Sequence, residues 1–324
     1  MILEFADPGL ARLLDLLDGS YTQTALLRAA RRAGVPSDEA ASVLARLVAA
    51  GFVVDAHSLD LAALPEATRR RLDPETTALA LRNTAPASAM KRRAAAHVLV
   101  TGNGRLAVPI ACTLASSGVG HVDPNLSGIA RLTDAAPGGL LPGDAHRPRG
   151  LAAAEALRRA APEVDLAPLR RSRASFAVLV GFGAPASLTA LSYGTRRLAH
   201  LAVSVRDGTV VVGPLVRPGA SPCLNCLDLH RNDRDPDWKA VAAQLHTAPD
   251  LPEPVSAATV LAGAAFAADE VLTHIDGGRP TTLGATVEIR APNQTTRRQW
   301  NHHPMCGCRR GLRTRSFEPH TTHS

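Results

Sequence analysis

Residues 97–120 read HVLVTGNGRLAVPIACTLASSGVG, and this stretch decides the fold. It is a short strand, a glycine-containing turn, and a helix with Leu106, Ile110 and Leu114 facing inward. Gly102 and Gly104 let the turn tighten. Ala107 stands where G-x-G-x-x-[GA] carries a small residue, so that helix and sheet can approach. The pattern is the opening unit of an α/β nucleotide-binding fold.

A second unit follows, with a helix over Leu151 to Ala160, a strand over Phe176 to Val180, a helix after Pro185 and a strand over Leu201 to Val205. Arg206-Asp207-Gly208 then turns the chain into Thr209 to Val212, a hairpin that a dehydrogenase would not need here. The strongest chemical signal comes next. Cys223 and Cys226 form C-x-x-C, Cys306 and Cys308 form C-x-C, and Cys112 is left over inside an apolar helix. Four thiolates make a closed tetrahedral zinc site, which is structural because no coordination position stays open. A redox pair, or His302 or His303 in place of one thiolate, are the competing readings.

The N-terminal residues 1–56 form a separate pattern. Ile2 to Phe5 is strand-like, and Leu10, Leu13, Leu14, Leu16 and Leu17 give a helix an apolar stripe that Gly19 ends. A second helix spans about Thr22 to Arg32. A third starts with Ser37 as N-cap, with Ala40, Val43, Leu44, Leu47 and Val48 on its core face, and Phe52-Val53-Val54 is strand-like. Strand, three helices, strand is a winged-helix order. The third helix exposes Asp38, Glu39, Ser42 and Arg46, an acidic set that argues against DNA binding and leaves packing or peptide binding by strand addition. Residues 57–96 read as a partly helical linker broken at Pro65, Pro74 and Pro86, in which Arg69 to Arg71 and Lys91 to Arg93 are solvated helix faces.

The chain has 324 residues, 45% hydrophobic and 20% charged, enough for two domains with real cores. Its net charge of +7 comes with two Lys and 34 Arg, and it lies outside residues 1–55, where five Arg face seven acids. Aromatics at 3% leave no base-stacking platform. The apolar run Val255 to Ala268 is too short to span a bilayer, and MILEFADPGL lacks the basic and apolar regions of a secretion signal, so a cytoplasmic protein with no membrane partner is expected. Residues 309–324 read as a disordered tail.

From about residue 97 to 308 the order of glycine turn, hairpin, C-x-x-C after a Pro-Gly turn, Ala-rich helix and C-terminal cysteine pair resembles the ThiF/MoeB superfamily of ubiquitin-activating-like adenylyltransferases. GNGRLA, GVGHVDP, HRPRG, GPLVRPGASPCLNCLDLHRNDRDPDW and HHPMCGC look most like its branch attached to azole and azoline (TOMM) peptide biosynthesis. The resemblance implies a Rossmann-like ThiF-type core with a structural zinc site, preceded by a winged-helix leader-recognition module. Such a protein binds a ribosomal precursor peptide and delivers it to a separate YcaO-type cyclodehydratase, and homodimers are usual in the superfamily.

Active members bind ATP and magnesium and attach AMP to a carboxylate. The resemblance assigns the nucleotide to Gly102, Gly104, Arg105, Asp123, Arg147 and Arg149, and the peptide to Ile2, Leu3, Glu4 and Phe5. The chain departs from that pattern, and the Asn-Arg-Gln motif that the family carries after the second strand is missing. Arg105 replaces a glycine, and Gly181-Phe182-Gly183-Ala184 follows the strand where active enzymes place a metal-binding Asp. Without that acid the triphosphate is poorly neutralised and adenylation is expected to be lost. The alternative is a working adenylyltransferase acting on the C-terminus of a carrier protein. An NAD-dependent oxidoreductase would use the same turn and Asp123, but leaves the cysteines and the hairpin unexplained.

Overall fold

A computed structural model describes residues 8–56, 64–82, 85–170, 173–181, 185–247 and 253–312. The chain divides into two compact units, Met1–Lys91 and Arg92–Ser324.

In the first unit, α1 (Pro8–Asp15), α2 (Gln23–Arg32) and α3 (Ser37–Ala49) bury Leu10, Leu13, Leu26, Ala30, Val35, Ala40 and Leu44 against one another. Thr22 caps α2, its hydroxyl accepting the Ala25 N–H at 3.3 Å. Two local expectations fail. Pro36, not Ser37, holds the N-cap position of α3, and no side chain caps that end. Phe52-Val53-Val54 forms no strand: the chain leaves α3 through a turn at Gly51, and Phe52 and Val48 stay largely exposed. A strand needs a neighbour for its backbone groups, and none of the described residues of this unit supplies one. Ile2, Leu3, Glu4 and Phe5 lie outside the described residues.

The segment after residue 63 is more helical than its prolines imply. α4 (Glu66–Leu81) runs straight through Pro74, while Pro65 and Pro86 stand at the starts of α4 and α5 (Pro86–Ala94), where proline's missing N–H costs nothing. Leu72, Leu79, Ala89 and Met90 make a small core of their own.

The second unit is one mixed sheet of seven strands in the order β2-β1-β3-β4-β5-β6-β7. β1 (His97–Gly102) leads into α6 (Ala107–Ser116) and returns as β2 (His121–Asn125); α7 (Arg149–Ala160) then crosses to β3 (Phe176–Val180), and α8 (Ala186–Thr195) to β4 (Ala199–Arg206). These four strands are parallel, as crossovers through helices require. The turn at Asp207 (φ 49°) and Gly208 (φ 75°) then reverses the chain into the antiparallel β5 (Thr209–Val216).

α9 (Leu224–Arg234) and α10 (Trp238–Thr247) follow. The Asp228 to Asp235 segment is largely helix, with Arg231 bridged to Asp228 at 3.2 Å, one helical turn away. α11 (Ala257–Ile275) is capped by Ser256 and extends past the apolar run to 19 residues. By length and composition it could cross a membrane, but half of that window is buried inside the protein, where Val260, Ala264, Ala267 and Val271 join the sheet core with Ile110 and Leu114 of α6. A hairpin of β6 (Ala285–Ala291) and β7 (Gln294–Gln299) closes the sheet, and a 3-10 helix runs over Gly307–Leu312.

Candidate functional site

Strand order reverses between β1 and β3, so the crevice at their C-terminal ends is where a parallel α/β sheet takes a ligand. Gly102 and Gly104 sit there at φ 112° and 97°, a region that L side chains avoid. A Cβ on Gly102 would lie 1.8 Å from the Val180 carbonyl oxygen, so β1 and β3 close on each other only because that position is bare.

The cationic residues near this turn are committed to the protein itself. Arg105 donates one guanidinium nitrogen to the Val255 carbonyl at 2.6 Å and another to the Ala135 carbonyl at 3.1 Å. Its backbone N–H donates to Glu253 Oε2 at 3.0 Å. Arg149, 2% exposed, donates to Asn103 Oδ1 and the Ser127 carbonyl, both at 2.8 Å, and to Asp134 Oδ2 at 2.9 Å. It therefore ties the glycine turn to the 127–134 loop. Arg147 is held elsewhere, between Asp144 at 2.8 Å and Glu155, and this pairing raises its pKa while lowering that of Glu155.

Asp123 is buried in β2, with its carboxylate turned to the Leu169 N–H at 2.7 Å; burial raises its pKa, and that hydrogen bond and His121 oppose the rise. Gly102, Gly104, Arg105 and Arg149 thus share one site, whereas Arg147 and Asp123 are engaged with other partners. Asn103, Asp134 and Glu253 belong to the same site and are not evident from spacing. Glu253 approaches from 148 positions downstream.

The four cysteines converge. Sγ separations are 3.9 Å for Cys223 and Cys226, 3.6 Å for Cys223 and Cys306, and 3.5 Å for Cys226 and Cys308. Zinc–sulfur bonds of about 2.3 Å in a tetrahedron place sulfurs about 3.8 Å apart, so the set fits that ion. No disulfide is present. Cys223 holds the N-cap position of α9 and Cys226 lies in its first turn, which brings both thiols to one side.

The second doublet is steered by the residues before it. Trp300 Nε1 donates to Thr286 Oγ1 at 3.1 Å, and His303 Nε2 donates to Asp233 Oδ2 at 2.8 Å while its Nδ1 accepts the Met305 N–H at 3.1 Å. Both His303 nitrogens are thereby used, so His303 positions the loop and does not replace a thiolate. His302 Nδ1 approaches Cys308 Sγ at 3.5 Å and Asn225 Nδ2 donates to Cys306 Sγ at 3.4 Å; both contacts add to the sulfur set without displacing a member of it. Among the four thiols, hydrogen bonds from Cys223 and the His303 backbone N–H lower the Cys226 pKa, whereas burial raises that of Cys308. A divalent cation would remove that conflict by holding all four as thiolates.

No protein-family profile and no curated protein matches the sequence. Solved structures do match the fold. E. coli MccB with ATP superposes at a TM-score of 0.66 with 15% identity, covering 92% of this chain and 90% of that one. The Microcin C7 biosynthetic enzyme MccB in complex with N-formylated MccA gives 0.63 at 14% identity over 92% and 90%. PaaA gives 0.61 at 15% identity over 80% and 91%. The chain therefore has the ThiF-like fold that MccB has, built on a mixed seven-stranded sheet and carrying a four-cysteine cluster.

Proposed function

We propose that this protein binds a ribosomal precursor peptide and presents it to a separate modifying enzyme such as a YcaO cyclodehydratase, its own adenylation chemistry lost and zinc bound by Cys223, Cys226, Cys306 and Cys308. The observation that carries the reading is the fate of the two arginines at the glycine turn. The terminal guanidinium nitrogens of Arg105 and Arg149 donate to Val255, Ala135, Asn103, Ser127 and Asp134, whereas a triphosphate needs such donors turned outward. The missing Asp after β3, where Phe182-Gly183-Ala184 stands, points the same way.

On the peptide side, the first unit carries a groove of about 700 Å³ lined by Leu16, Leu17, Leu26, Leu44, Val48 and Val53. A groove of this size and polarity suits the apolar anchors of a short segment. Isothermal titration of the full chain with the leader segment of a precursor peptide encoded beside it tests the reading. Saturable heat is expected at one peptide per chain. No heat with any segment of the precursor contradicts it.

The second reading, a working adenylyltransferase, draws on MccB, solved with ATP and with MccA. Pyrophosphate exchange separates the two.

A further inference from the structure

We infer that Glu253 is the residue that closes the glycine turn to phosphate: its carboxylate stands in the cradle as a built-in anion, and a nucleoside polyphosphate gains the site only when that carboxylate is removed. A Cβ added to Gly104 would lie 2.4 Å from Glu253 Oε2 and 2.7 Å from Oε1, so both carboxylate oxygens cover the face that this glycine leaves bare. The adjoining Arg105 N–H donates to Oε2 at 3.0 Å. A bare glycine followed by an inward-pointing N–H, just before a helix, is the arrangement with which a strand-to-helix turn receives a phosphate oxygen. Here a carboxylate takes that oxygen's place.

The contact is fixed at both ends. The Arg105 side chain donates to the Val255 carbonyl at 2.6 Å, two residues beyond Glu253, and the Val255 N–H returns to the Glu253 carbonyl at 2.9 Å. Ser256 then caps α11, its hydroxyl accepting the Thr259 N–H at 3.2 Å, which anchors the 253–256 segment to the core. α6 has neither a side-chain cap at its start nor an acid in its first turn, and Glu253 places a negative group beside this helix end. A phosphate would meet the same space filled and the same sign of charge.

This inference goes beyond peptide binding and does not depend on it. The test titrates Mg-ATP and inorganic pyrophosphate into the full-length wild type, Glu253→Ala and Glu253→Gln, each checked by far-ultraviolet circular dichroism and zinc content. The wild type is expected to bind weakly or not at all, and Glu253→Ala to bind at least about tenfold more tightly, equivalent to about 1.4 kcal/mol. Glu253→Gln keeps the shape and an acceptor but loses the charge, so a gain in that variant also supports the assignment, including where the Ala variant fails to fold. Equal affinity in all three proteins, or no gain in either variant, overturns it. Peptide titration on the same samples is expected to be unchanged. Loss of peptide heat in the wild type counts against the proposed function alone.

Discussion

Arg93 and Asp276, 183 positions apart, form a two-pronged ion pair: Nη2 to Oδ2 is 2.6 Å and Nε to Oδ1 is 3.0 Å, with the Arg93 side chain 3% exposed. A third bond runs from Arg93 Nη1 to the Ser117 carbonyl at 3.1 Å. Asp276 and Ser117 are the C-caps of α11 and α6, so one guanidinium sits where two helix dipoles are negative. Arg93 is thus no solvated helix residue, as the cluster Lys91-Arg92-Arg93 implies, but the clasp between two core helices. Arg93→Ala leaves Asp276 unpaired and is expected to cost about 3 to 5 kcal/mol. Replacing both partners by apolar residues of similar size costs less. Urea denaturation of the three proteins checks the order.

The cysteine cluster predicts about one zinc per chain by emission spectroscopy. Cys226→Ser and Cys306→Ser are expected to lose the metal and much of the thermal stability, because zinc binding contributes on the order of 10 kcal/mol in small four-ligand sites. Cys112→Ser retains the metal. The Cys112 thiol is buried in α6, and burial raises its pKa to about 11, so it stays slow to alkylate in the native protein.

His200 predicts a pH dependence. It is 1% exposed, its Nδ1 donates to the Leu198 carbonyl at 3.0 Å, its Nε2 has no partner among the described residues, and burial lowers its pKa to about 4. The unfolded chain takes up a proton near pH 6.5 that the folded one refuses until about 4. Stability from this group is therefore complete above 6.5 and declines as the pH falls, by about 3 kcal/mol in total. The stability difference between wild type and His200→Leu, followed from pH 7 to 4, should shift toward the variant by that amount. An unchanged difference excludes His200 as the source.

Gly102→Ala puts a Cβ against the Val180 carbonyl at a φ of 112°. Backbone cannot move aside as a flexible side chain can, so destabilisation on the order of 3 kcal/mol is expected in thermal melts.

Much of the second unit is legible because its signals are local. The strand at Phe176–Val180, the Asp207-Gly208 hairpin and the cysteine doublets each declare themselves within a few residues. β7, Gln294–Gln299, does not: every residue is exposed and polar, so no alternation marks it, and only pairing with β6 makes it a strand. Glu270 is hidden for another reason. A buried acid in an apolar helix looks misplaced until Thr281 and Thr282, eleven and twelve residues on, both donate N–H and hydroxyl groups to it. Glu253 and Arg149 likewise gain their roles from partners far along the chain, and no spacing rule names those partners. Phe52-Val53-Val54 errs the other way, with strand-like residues that find no pairing edge among the described residues.

The proposed function is peptide binding on the fold of MccB without adenylation. The most direct measurement is exchange of radiolabelled pyrophosphate into ATP by the full-length, zinc-loaded protein with magnesium and the precursor peptide, beside an active adenylating enzyme as positive control. Incorporation no higher than in a protein-free blank, from a sample that binds the peptide, is the predicted result. Exchange that rises with peptide concentration would contradict a lost adenylation activity.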